Sequence, residues 1–211
     1  MDKFGRAEWD NYNMAVAMLA TSRSIDPRTK HGCYIVAPNN KPLATGYNGP
    51  IKGVDDSKFS LTPPGKYFEI IHSEANAVYN YNGSLEDATV YVTGHPCSNC
   101  FKMLAQKGIK RIVWGPVDSV RLGKDQEEWK AMKRMIDYSD VELVEFSGNF
   151  WEPFIVLIKY LATKGIAPTK DLLSTISHAI CDVDLKVDIP PVRIDVPALV
   201  TSVDAKGLLG E

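Results

Sequence analysis

The chain has 211 residues, 45% hydrophobic and 24% charged, with 13 Pro and 15 Gly. These are globular proportions, which exclude a collagen-like or wholly disordered chain; at roughly 150 residues per domain the length fits one domain with an appendage. With 24 Lys and Arg against 26 Asp and Glu, the net charge is −2 and the pI near 6.1, which lacks the basic excess usual when phosphate contacts hold a long nucleic acid.

A small substrate is therefore favoured over a polymer. The longest strongly apolar stretch, Phe154 to Ile158, stops at Lys159, far short of the roughly 20 residues of a membrane helix. Met1-Asp2-Lys3-Phe4-Gly5-Arg6 has no apolar run of the kind that opens a secretory signal, so a reducing, cytoplasmic location is expected.

Taken in chain order, Trp9, Tyr12, Val16, Leu19 and Ala20 recur at helical intervals and predict an amphipathic helix over 7–22, ending near Asp26-Pro27. Cys33–Ala37 and Pro42–Tyr47 are apolar runs around the turn residues Pro38-Asn39-Asn40-Lys41, a hairpin of two antiparallel strands. Residues 48–67, rich in Gly, Pro, Asp, Ser and Lys, predict a long loop of the kind that often contributes to a site.

His72–Tyr81 then reads as a short helix, Ala88–Thr93 as a strand, Cys97–Lys107 as a helix ending at Gly108, and Lys110–Trp114 as a strand, an order that implies a parallel crossover. Residues 126–137 predict a helix, Val141–Phe146 a strand and Pro153–Thr163 a helix. The alternation defines an α/β layer architecture. Beyond that, Val183, Leu185, Val187 and Ile189 alternate with charged residues, but Pro190, Pro191 and Pro197 forbid a central strand and leave an extended arm. The expected division is a domain over 1–150 and a helical extension with an arm over 151–211.

Two short segments carry the chemistry: His72-Ser73-Glu74 at the start of one predicted helix and Pro96-Cys97-Ser98-Asn99-Cys100 at the start of another. Alone, each is weak; a C-x-x-C is equally a redox pair, half a zinc finger or two core thiols. Together they are far stronger. Zinc takes nitrogen and thiolate ligands in a tetrahedron, and a catalytic site uses three from the protein and keeps one for water; His72, Cys97 and Cys100 supply three. Cys97 and Cys100 share one face of a helical turn, at the positive end of the helix dipole, which favours thiolates and a reduced metal site. Glu74 stands two residues from His72, placed to move protons rather than to bind the metal. His95 is the weaker ligand candidate and reads as a loop or pocket-wall histidine. Trp114 and Cys33 read as packing residues, and Cys181 and His178 as a buried thiol and a helix-face residue.

The H-x-E and P-C-x-x-C pair is the signature of the zinc deaminases, and the roles given to these residues lean on it. Within that superfamily the chain resembles the deoxycytidylate deaminases through His72-Ser73-Glu74-Ala75-Asn76-Ala77, Thr89-Val90-Tyr91-Val92-Thr93, Pro96-Cys97-Ser98-Asn99-Cys100, Gly108-Ile109, Gly46-Tyr47-Asn48-Gly49 and Asp26-Pro27-Arg28-Thr29, over roughly residues 7 to 115. The resemblance implies a cytidine-deaminase-like three-layer α/β/α fold with a five-stranded mixed sheet, Zn2+ at two helix N-termini, and hydrolytic conversion of dCMP to dUMP with release of ammonia.

It further implies substrate contacts at Asn48 and Tyr47, assembly into dimers or hexamers, and dCTP and dTTP as effectors. A phosphate cradle is expected from Arg23, Arg28, Lys30 and Lys52, with Arg23 and Lys30 the better placed. The rival substrates are cytidine, cytosine, dCTP, a modified dCMP, or a base in nucleic acid. The rival of another class is a noncatalytic nucleotide-binding zinc module. The pattern lapses after Trp114, where Gly115-Pro116-Val117-Asp118 opens an unmatched segment.

Overall fold

The computed structural model describes residues 1–118 and 126–166. Helix α1 (Trp9–Ala20) runs through a 3-10 turn at Thr21–Arg23 toward the hairpin of β1 (Gly32–Val36) and β2 (Pro42–Tyr47). After a loop come α2 (Lys66–Glu69) and α3 (Ser73–Tyr79), then β3 (Thr89–Gly94), α4 (Ser98–Gln106), β4 (Arg111–Asp118), α5 (Gln126–Tyr138), β5 (Glu142–Glu145) and α6 (Glu152–Thr163). The strands form one sheet in the order β2-β1-β3-β4-β5. β1 pairs antiparallel with β2 and β3, while β3–β4 and β4–β5 are parallel, so the sheet is mixed as expected.

Strand side chains alternate between faces, and here both faces are covered. Cys33 and Ile35 of β1, Val90 and Val92 of β3, and Ile112 and Trp114 of β4 join Ala77 and Val78 of α3, Phe101 and Leu104 of α4, and Met132 of α5 in one apolar cluster. The intervening Tyr34, Val36, Tyr91 and Val113 pack with Met14 and Ala17 of α1 in the other. A sheet buried on both sides reads as nearly continuous apolar runs, which is why β1 and β3 stand out in the sequence.

Close backbone approach fixes two glycines. A Cβ on Gly32 would meet the Ala17 carbonyl of α1, and one on Gly46 would meet the α3 backbone at Ser73 and Ala77. The sheet is clasped from both sides at the positions where the site is assembled.

β4 runs on past the predicted strand end at Trp114, through Gly115-Pro116, to Asp118 and still pairs there, Gly94 with Asp118, past an irregularity in the register. The predicted long loop holds two short elements, a 3-10 turn at Asp56–Lys58 and α2. Its end is pinned where Gly49 bridges Ile71. Met1–Lys164 form one compact unit, which includes α6. The predicted arm over 183–197, Cys181 and His178 lie outside the described residues.

Candidate active site

α3 and α4 begin on the same side of the sheet. His72 is the extended residue that caps α3, with φ −66° and ψ 153°, and Cys97 does the same for α4, with φ −73° and ψ 165°. Each cap leaves its side chain at a helix start, beyond the last residues of β3. The His72 Nδ1 lies 3.5 Å from Cys97 Sγ and 3.5 Å from Cys100 Sγ. All three donor atoms fall within 4.8 Å of one another.

Metal bonds of about 2.3 Å to sulfur and about 2.0–2.1 Å to nitrogen give a tetrahedral N···S edge of about 3.6 Å, so both N···S separations are those that a tetrahedral zinc ion requires. Three protein donors leave a fourth position, the stoichiometry of a catalytic rather than a closed structural site. The residues present fit zinc.

The thiols are unequal. Hydrogen bonding from Cys100 pushes the Cys97 thiol down to about 3, with His72 and the Cys100 backbone N–H adding to it against the opposing effect of burial. The same sulfur contact, and then burial, push Cys100 far up. A bound dication favours the thiolate form of both sulfurs.

Glu74, in the first turn of α3, is 5% exposed. Its Oε2 accepts a hydrogen bond from Ser73 Oγ at 2.9 Å, which fixes its rotamer. Glu74, His72 and Cys97 line one open cleft together with Asn48, His31, Lys66 and His95.

The other predicted residues divide. Asn48 is in the cleft but is held by the protein at both ends: its Oδ1 accepts from His31 N at 2.7 Å, and its Nδ2 donates to Thr29 O at 2.9 Å. Tyr47 and Arg23 line a separate cleft, with Lys52, Asn76 and Tyr79; adjacent positions on a strand face opposite ways, so Tyr47 parts from Asn48. Lys30 is exposed and lines neither cleft. His95 is a pocket-wall residue, edge-on to Trp114 at 4.8 Å and to Trp129 at 5.4 Å, and Trp114 is 7% exposed in the core.

Sequence reading missed Asp26, His31 and Lys66 as parts of the cleft. The Asp26-Pro27-Arg28-Thr29 segment carries a signal, whereas Lys66, which opens α2, falls within the predicted loop over 48–67 with nothing to single it out. Trp129 and Glu128 of α5 also buttress the cysteine turn, Glu128 Oε1 accepting from Ser98 N at 3.1 Å.

Comparison with known proteins identifies the family. Residues 7–116 match the family described as the cytidine and deoxycytidylate deaminase zinc-binding region. The deoxycytidylate deaminase of Mus musculus is 36% identical over 150 residues, covering 68% of this chain and 82% of the mouse protein. That of Pongo abelii is 33% identical over 146 residues, covering 66% and 80%. Among solved structures, the dCMP deaminase of cyanophage S-TIM5 is similar at 25% identity and a TM-score of 0.46, covering 63% of this chain and 93% of that one. The match takes in more than half of the sequence and every donor of the metal cluster, and the chain belongs to the cytidine and deoxycytidylate deaminase zinc-binding family.

Proposed function

We propose that the protein hydrolyses dCMP to dUMP and ammonia. The observation that carries this reading is the gathering of the His72, Cys97 and Cys100 donor atoms within 4.8 Å of one another beside the cleft that holds the buried Glu74. Zinc, when bound by those three residues, lowers the pKa of water from about 15.7 to about 7 and so supplies a nucleophile near neutral pH.

The residues of the chain do the rest. Ser73 holds the Glu74 carboxylate in place, and that carboxylate takes the proton of the attacking water. As the oxygen bonds to C4 of the cytosine ring, Glu74 passes this proton to the ring nitrogen N3. It then carries the proton of the new C4 hydroxyl to the amino group, the C4–N bond breaks as the C4–O bond becomes a carbonyl, and ammonia leaves with uracil formed. Asn48 orders the segment from Thr29 to His31 against the cleft, which sets the wall that meets the sugar.

The resemblance to deoxycytidylate deaminases further supports a homo-oligomer, dimer or hexamer, regulated by dCTP and dTTP. It likewise supports a cytoplasmic setting for a protein in which no helix among the described residues is long and apolar enough to cross a membrane. The substrate is tested by ammonia release from cytosine, cytidine, dCMP, dCTP and a single-stranded oligonucleotide at equal base concentration. dCMP is expected to be the fastest; release from the oligonucleotide alone would overturn the proposal.

A further inference from the structure

A Lys or Arg gives a phosphate a charge-assisted partner, and Arg23, Arg28, Lys30 and Lys52, which the sequence nominates, do not line the active cleft. Among the described residues that line it, Lys66 is the one Lys or Arg. Its ammonium donates to Asp26 Oδ2 at 2.8 Å, and the two side chains are 11% and 5% exposed. Asp26 in turn is tied to the backbone, its Oδ1 accepting from Arg28 N at 2.9 Å and Thr29 N at 3.0 Å. The ammonium is therefore held at a fixed point of the cleft wall, on a loop that Asn48 also clamps.

An ammonium has three N–H donors and Asp26 engages one. Burial strips water from the others, so an anion entering the cleft gains a charge-assisted bond from a donor already in place. We infer that Lys66, oriented by Asp26, is the residue that binds the phosphate of the substrate and makes the enzyme select a nucleoside monophosphate over the free nucleoside.

This inference rests on the proposed deamination of dCMP, and the test separates the two. The measurement is the ratio of Kd for deoxyuridine to Kd for dUMP in the zinc-loaded wild-type protein and in Lys66→Met, which keeps the length of the stem and removes the charge. A ratio reduced by about 10- to 100-fold in the variant is expected from the loss of one charge-assisted bond. An unchanged ratio overturns the inference even if both affinities fall, since a lysine that merely ties two loops together weakens both ligands alike.

Should Lys66→Met fail to fold, the same question is put to the wild-type protein labelled with 13C at lysine Cε, with the Lys66 resonance assigned through Lys66→Arg. A shift of that resonance on adding dUMP, absent with deoxyuridine, supports the inference, and equal shifts or none overturn it. A wild-type protein that releases no ammonia from dCMP defeats the proposed function itself, whereas turnover of dCMP with an unaltered ratio defeats only the assignment of Lys66.

Discussion

At the scale of single residues, Glu74 and Ser73 are both buried and bonded to each other, and the carboxylate is not one of the three metal donors. Glu74→Gln keeps the shape and an acceptor for the Ser73 hydroxyl while removing the ability to take up a proton. The expected outcome is unchanged zinc content and melting temperature with kcat lower by about 10²- to 10⁴-fold, read by metal analysis, thermal unfolding and ammonia release on one preparation. Full turnover would remove Glu74 from the proton path. Asn48 presents the opposite case, since its two hydrogen bonds are structural. Asn48→Ala strands a backbone N–H and a carbonyl beside the cleft, so it should cost about 1–3 kcal/mol of stability and raise KM while zinc is retained. A higher KM with no loss in urea unfolding would mean that the side chain serves the substrate alone.

At the scale of elements, the site depends on α3 lying flat against β2, and Gly46 is what allows it. A methyl group there would press on the Ser73 and Ala77 backbone, neither of which is the flexible end of a side chain, so Gly46→Ala should destabilise by about 1–3 kcal/mol; an unaltered urea midpoint would show that α3 is free to retreat. On the other face, Asp10 of α1 accepts from Arg111 of β4 at 2.9 and 2.7 Å and from Tyr91 of β3 at 2.5 Å.

The Arg111 bond holds the Asp10 carboxyl below its usual range. A depressed carboxylate pKa contributes stability above the unfolded value of about 3.9, and this is lost as pH falls through the folded value. The stability gap between wild type and Asp10→Asn should accordingly narrow as pH is lowered from 6 to 3, and a gap independent of pH would show that the charge on Asp10 adds nothing.

Much of this layer was legible. The hairpin appeared as two apolar runs around a polar turn, and the starts of α3 and α4 were marked by His72 and Pro96-Cys97. What is not legible has physical causes: the apolar run that marks β4 ends at Trp114, α2 is too short to show a period, and the Asp26–Lys66 pair joins residues 40 apart in sequence.

At the scale of the whole molecule, the metal centre and the core are built from different residues. The apolar clusters run through the sheet and its flanking helices, whereas the donors sit at the starts of α3 and α4. A zinc finger lacks such a core and unfolds without metal; this chain should keep its fold when stripped, losing only the stabilisation that ligand binding adds. With free zinc about 1,000-fold above its Kd, that contribution is about 4.1 kcal/mol. For a domain of this size each kcal/mol moves the melting temperature by about 2–4 °C, so chelation should lower it by about 8–16 °C and abolish turnover, with both restored by added zinc. The far-UV circular dichroism of the stripped protein at 25 °C should match that of the loaded one. Its loss would show that the junction of the two helix starts holds the sheet together, and that metal binding and folding are here a single event.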